Sequence, residues 1–150
     1  MKGYKQPVSV LVVIYTLELD VLLLERAAHP GFWQSVTGSR EADEALFATA
    51  CREVAEETGI DTGRYQPDDW NITNTFEIFP EWRHRYAPSV TQNTEHVFGL
   101  QLPVKCDITI APDEHRSWLW MPWQAAAERC FSWSNRDAIL LLSQRLVGSA

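Results

Sequence analysis

The sequence predicts a mixed α+β or α/β sandwich folded as one domain over residues 1–150. Three observations point there. The first third is rich in short β-branched runs, which read as strands. A helical period without Gly or Pro then runs from Glu44 to Thr58. Strand-like stretches return after it, before a closing helix, so strands and helices share one core. The length of 150 residues matches one domain and suffices for an unstapled core.

Each element follows from local chemistry. Val8 to Thr16 and Val21 to Glu25 form the two arms of a hairpin, broken by the polar Glu18 and Asp20. Pro30-Gly31 marks a turn, Phe32 to Thr37 a short strand, and Gly38 to Asp43 a polar loop. The helix from Glu44 to Thr58 ends at Gly59, a residue that tolerates a left-handed cap. Its core face is Phe47, Ala50, Cys51, Val54 and Thr58 at helical spacing. Asp61 to Asp69 is a loop, and Asn71 to Phe79 a strand broken by Pro80. Thr94 to Leu102 is another strand, Pro103 to Asp107 a turn, and Ile108 to Ile110 a short strand. Arg116 to Met121 is a strand with Trp118 and Trp120 on one face, read as core. Pro122 suits a helix start, so Trp123 to Cys130 is helical. The last helix is Ser134 to Leu146, with Ser134 as N-cap and Ile139, Leu140, Leu142 and Leu146 apolar.

Composition excludes several classes. A 45% hydrophobic and 22% charged chain argues against disorder, collagen and coiled coil. No apolar run approaches a membrane span of about 20 residues. A net charge of −7 disfavours a nucleic-acid partner. It leaves room for an anionic small substrate, because a divalent cation reverses the local sign. Cys51, Cys106 and Cys130 lie far apart with no CxxC, so neither a zinc site nor a disulfide framework is expected. Free thiols fit a reducing cytoplasm. The apolar stretch after Lys2 and Lys5 meets acids rather than a cleavage site, so export is not expected.

The chemistry concentrates in Gly38 to Ile60. Glu53, Glu56 and Glu57 stand at i, i+3 and i+4 and share a helix face. Three carboxylates that close repel, unless a hard divalent cation sits among them. Arg52 can reach Glu56 or a carboxylate in the preceding loop. Taken alone, such a cluster is ordinary solvated charge. The full spacing is more specific: Gly38, five residues, Glu44, seven residues, then Arg52-Glu53-Val54-Ala55-Glu56-Glu57-Thr58-Gly59-Ile60. It resembles the Nudix box at nine defined positions over 23 residues. The loop after Gly38 departs from the commoner form, with Ala42-Asp43 where glycine is frequent.

The resemblance implies an α/β fold, the Nudix-type α/β/α sandwich with a mixed sheet and a loop–helix–loop metal site. It implies a hydrolase of pyrophosphate linkages that needs Mg²⁺, with Mn²⁺ as the alternative. Glu53, Glu56 and Glu57 would hold metal, Arg52 would orient them, and Gly38 would shape the loop. Glu53 and Glu57 are both candidates for accepting the proton of the attacking water.

Four further stretches narrow the branch: Lys5 to Ser9, Phe32 to Ser39, Trp82 to Pro88 and Ser132 to Arg136. They resemble the bacterial folate-pathway Nudix enzymes that act on dihydroneopterin triphosphate. The alternative is a housecleaning Nudix hydrolase of canonical or damaged nucleoside triphosphates. The resemblance implies substrate contacts at Lys5, Arg26, Thr37, Pro80, Glu81, Trp82, Arg83 and Ser132, and a further metal ligand at Glu114. Lys5, Arg26 and Arg83 can pair with triphosphate oxygens. On composition alone these residues read as surface charge and turn positions. Trp33 and Trp133 fit core and ligand contact equally well. His29, His84, His96 and His115 show no metal-ligand spacing, and none is assigned to metal.

Overall fold

The computed structural model describes residues 3–144. Seven strands form one sheet: β1 (Val8–Thr16), β2 (Asp20–Arg26), β3 (Trp33–Gln34), β4 (Val36–Ser39), β5 (Asp68–Glu77), β6 (Gln92–Leu102) and β7 (His115–Pro122). The helices are α1 (Leu46–Thr58), α2 (Trp123–Arg129) and α3 (Trp133–Leu140), with a 3₁₀ turn at Pro80–Arg85. The sheet is mixed. β1 and β6 run parallel from Val8↔Thr94 to Thr16↔Leu102, and the other named strand pairs are antiparallel.

The unbroken apolar run of β1 has a plain cause: both faces of the sheet are covered. Val10, Val12 and Ile14 pack beneath α1 with Ala50, Val54 and Phe98. Leu11 and Val13 alternate to the other face and pack under α2 and α3 with Ala126, Ala138 and Ile139. The result is the expected α/β/α arrangement.

The sheet forks, and the fork positions the site. β1 and β2 pair only at Tyr15↔Val21. From Ser9 to Val12 the neighbour of β1 is instead β4, paired as far as Ser39. Phe32 to Thr37 is therefore two strands, one on each prong: Trp33–Gln34 joins β2 and Val36–Ser39 joins β1. Strand pairing of this kind is tertiary and leaves no local signature.

Several expectations are corrected. Ile108 to Ile110 is no strand. It crosses the end of α1, where the Thr109 N–H donates to Thr58 O at 2.9 Å. Ser132, not Ser134, caps α3, accepting from the Asn135 N–H at 3.2 Å. Ser134 is buried within the first turn. β5 already ends at Glu77, short of Pro80, which opens the 3₁₀ turn. Phe47 is 45% exposed, because Leu46 fills the first-turn core position of α1. Leu140 is exposed, while Ile139 and Leu142 face the core. Trp33 is core, and Trp118 and Trp120 pack against the core half-buried. Leu146 lies outside the described residues. Gly59 caps α1 at φ 74°, as its lack of a Cβ allows.

Candidate active site

Arg52 organises the first half of the site. Its Nε donates to Glu44 Oε2 at 2.9 Å, and its Nη2 to Glu44 Oε1 at 3.0 Å, a forked pair. Nη2 also donates to Ser39 O at 3.0 Å, tying α1 to β4. Nη1 donates to Glu53 Oε1 at 2.8 Å and Glu56 Oε2 at 3.4 Å. The Arg52 fork and the Glu41 N–H pull the Glu44 carboxyl down to about 2.

The second half is the reverse. Glu57 is 1% exposed, and among the described residues no side-chain donor meets either of its oxygens, the Thr37 backbone N–H alone opposing the rise in its pKa. Burial, then the neighbouring Glu53 carboxyl and the Glu114 charge, push its pKa well above the usual carboxylate range. Glu114 is raised by burial and by Glu53 as well. Glu56 stands at the exposed rim. Gly38 is where β4 meets this cluster: a Cβ there would overlap the Glu53 carboxyl group. Only glycine leaves room for that carboxylate.

Ligand atoms of Glu57, Glu114 and His115 lie within 4.8 Å of one another. His115 was not expected from the sequence, although it adjoins Glu114. It is buried, its Nε2 is 3.9 Å from Glu57 Oε1, and burial and Arg26 lower its pKa to about 4. Unpartnered buried carboxylate oxygens among further acids suit a hard divalent cation. The set Glu53, Glu57 and Glu114, with Glu56 at its rim, therefore fits such an ion.

A cleft of about 750 Å³ opens from this cluster along the fork of the sheet. Lys5, Arg26 and Arg85 line it. Desolvation and the nearby Arg85 charge hold Lys5 and Arg26 below their ordinary pKa values, and the Glu53, Glu57 and Glu114 carboxylates only partly offset this. Arg83 is turned away: its Nη2 donates to Glu77 at 3.0 Å and its Nε to Ile78 O at 3.1 Å. Arg85, two residues on, takes the cleft position. Pro80 and Glu81 build the 3₁₀ turn outside the lining, and Trp82 enters the lining along with Arg85. The Arg26 guanidinium lies 4.8 Å from the centre of the Trp82 ring. Thr37 lines the cleft while its Oγ1 donates to Val10 O at 2.9 Å.

Beyond the cations the lining turns aromatic and polar. Phe76, Phe131, Trp82 and the exposed Trp133 stand there with Ser132 and Asn135. Asn135 Nδ2 donates to Ser35 Oγ at 2.9 Å and its Oδ1 accepts from the Ser35 N–H at 2.8 Å, docking α3 beside β4. Glu95 and Asn93 form part of the floor. Burial raises the Glu95 pKa, while Ser134 and Asn74 oppose the rise. Sequence reasoning missed both floor residues. Their one signal was a pair of polar residues two apart, entering a strand whose next alternate position is apolar.

A NUDIX domain model matches residues 5–142. The chain is 50% identical to the dihydroneopterin triphosphate diphosphatase of Escherichia coli K12, over 92% of this chain and 93% of that protein. It is 41% identical to the enzyme of that name from Haemophilus influenzae, over 93% and 89%. The solved E. coli dihydroneopterin triphosphate pyrophosphohydrolase superposes with a TM-score of 0.86 at 49% identity, covering 92% of this chain and 95% of that one.

Proposed function

The chain belongs to the Nudix family, and on that premise we propose that it converts dihydroneopterin triphosphate to dihydroneopterin monophosphate and pyrophosphate, in folate biosynthesis. The observation that carries this reading is the two-ended cleft. Acids with unpartnered oxygens and the cations Lys5, Arg26 and Arg85 occupy one end, and aromatic rings with buried polar groups the other. A triphosphate joined to a flat, polar heterocycle matches both ends at once. The identity with the E. coli and H. influenzae enzymes supports the same substrate.

Nudix hydrolases depend on a divalent metal, and we assign Mg²⁺ here, with Mn²⁺ able to replace it. Glu53, Glu56, Glu57 and Glu114 would hold it, and it would offset substrate charge and make a bound water more acidic. The remaining work falls to the chain's own residues. Arg52 fixes Glu53 against Gly38. Lys5, Arg26 and Arg85 meet the triphosphate oxygens, and the Thr37 position shapes the wall beneath them. Water attacks phosphorus, a P–O–P bond breaks, and pyrophosphate leaves. The water's proton passes to a carboxylate, either Glu53 or Glu57. Trp82 offers a ring face, held in place by the turn that Pro80, Glu81 and Arg83 build. Ser132 keeps its hydroxyl proton for a ligand while its oxygen caps α3.

We place this activity in the cytoplasm, in one domain spanning 1–150, with neither a membrane nor a nucleic acid as partner. The three cysteines are unpaired, and among the described residues no helix is long and apolar enough to cross a membrane.

A substrate panel tests the reading. With Mg²⁺, kcat/KM for dihydroneopterin triphosphate should exceed that for each common nucleoside triphosphate by about tenfold or more, the discrimination a few ring contacts supply. Higher values for ordinary or oxidised nucleotides would favour a housecleaning enzyme instead.

A further inference from the structure

We propose that Glu95, with Asn93 beside it, reads the ring N–H and amino group of the substrate's heterocycle. The inference rests on the pterin reading above and names the group that would select that ring.

The geometry begins with strand register. Asn93 and Glu95 stand two apart on β6 and so point to one face. On that face Glu95 is flanked by Ser9 of β1 and Asn74 of β5, and Asn93 is opposite Phe76. The next position, Val97, is already core. A polar patch thus interrupts the apolar face on which α3 packs.

The patch is buried yet incomplete. Glu95 is 5% exposed and Asn93 6%. Asn93 Nδ2 donates to Ser9 Oγ at 2.8 Å, which fixes the amide and leaves Oδ1 as the free end. Among the described residues, Asn93 Oδ1 and Glu95 Oε1 have no hydrogen-bond partner. Buried acceptors without donors are rare in native proteins, because the lost hydration is not replaced. Both residues line the cleft, beside Phe76 and Trp133. Those two rings meet nearly edge to face, at 83° and 6.4 Å.

An acceptor-only patch calls for adjacent donors. The 2-amino-4-oxo half of a pterin carries a ring N–H and an exocyclic amino group side by side. Glu95 Oε1 and Asn93 Oδ1 can accept one each. Adenine places a ring-nitrogen acceptor beside its amino group, which would set acceptor against acceptor. Glu95 therefore favours the pterin by attraction and disfavours adenine by repulsion. A merely structural Glu95, bonded to Ser134 and Asn74, would not distinguish the two rings.

The test is the ratio of kcat/KM for dihydroneopterin triphosphate over ATP, in wild type and Glu95→Gln. The ratio should fall by about tenfold or more, as when one bidentate base contact is lost. An unchanged ratio would overturn the proposal, whether both activities fall or neither does. A second arm needs no variant: inhibition of the wild type by neopterin and by its 2-oxo, lumazine-type counterpart. Neopterin should inhibit at a concentration at least about tenfold lower. Equal inhibition would overturn the proposal, even if Glu95→Gln does not fold. If the wild type itself prefers ATP, the substrate assignment fails, and the neopterin comparison still decides the edge reading.

Discussion

Glu44 and Glu57 belong to one motif and one residue type, yet the fold treats them oppositely. Glu44 is gripped by both arms of the Arg52 guanidinium and receives the Glu41 N–H and the Thr49 hydroxyl as well. Glu57 is buried among other acids without a side-chain donor. One region is a satisfied frame and the other a site incomplete without a cation. The difference teaches that an acidic helix face need not be one site. Arg52 reaches Glu44, Ser39, Glu53 and Glu56 and leaves the inward oxygens of Glu57 to a ligand.

The largest effect comes from breaking the incomplete half. Glu57→Gln keeps the shape and removes the charge, so kcat should fall by about 10²-fold or more, the scale of removing a catalytic electrostatic group. Metal-free thermal stability should hold or rise, since repulsion with Glu53 is relieved. Near wild-type turnover at saturating Mg²⁺ would refute the role. The sign with pH follows from the raised pKa. Folding favours the protonated form of Glu57, so its stabilising contribution is present below the ordinary value of 4.5 and lost as pH rises through the raised one. Glu44 behaves oppositely, losing its contribution as pH falls from 4.5 through about 2. Thermal melts of metal-free wild type and Glu57→Gln across these ranges separate the two.

Breaking the frame should cost less activity and more stability. Arg52→Lys removes the fork that joins Glu44, Ser39 and Glu53. Unfolding free energy should drop by roughly 1–3 kcal/mol, the cost of leaving a charged hydrogen-bond partner unmatched. A larger activity loss than that of Glu57→Gln, with stability unmoved, would invert the two halves.

The smallest effect lies in the loop that precedes Glu44. Ala42 sits at φ 49°, in the left-handed region that disfavours a Cβ. Glycine is the frequent residue there in the motif. Ala42→Gly should be neutral to stabilising by up to about 1 kcal/mol, backbone strain relieved against added chain entropy. Loss of stability would mean that the loop is not strained.

How much of this was legible follows from what each feature depends on. β1 and the α1 terminus at Gly59 were read correctly because an apolar run and a glycine stop are local. The helix acids were found through spacing, a one-dimensional property. The fork of the sheet was not legible, since the partners of Trp33–Gln34 and Val36–Ser39 are chosen by distant strands. Phe47 and Leu140 were assigned to the core on periodicity, which fixes a face but not where the covering layer ends. Asn93 and Glu95 were not singled out, because burial of a polar residue leaves no trace in its identity. His115 lacked any ligand spacing and is brought to Glu57 only by the pairing of β7 with β2.

The central claim, that Glu57 is completed by a cation, is tested most directly by calorimetric titration of the metal-free protein with Mg²⁺. Two buffers of different ionisation enthalpy near pH 5.5 would count the protons exchanged. Wild type should release protons as the ion binds, because a cation site requires its carboxylates deprotonated. Glu57→Gln should bind more weakly and release fewer. Binding of equal strength in both proteins, with no proton released from either, would contradict the account.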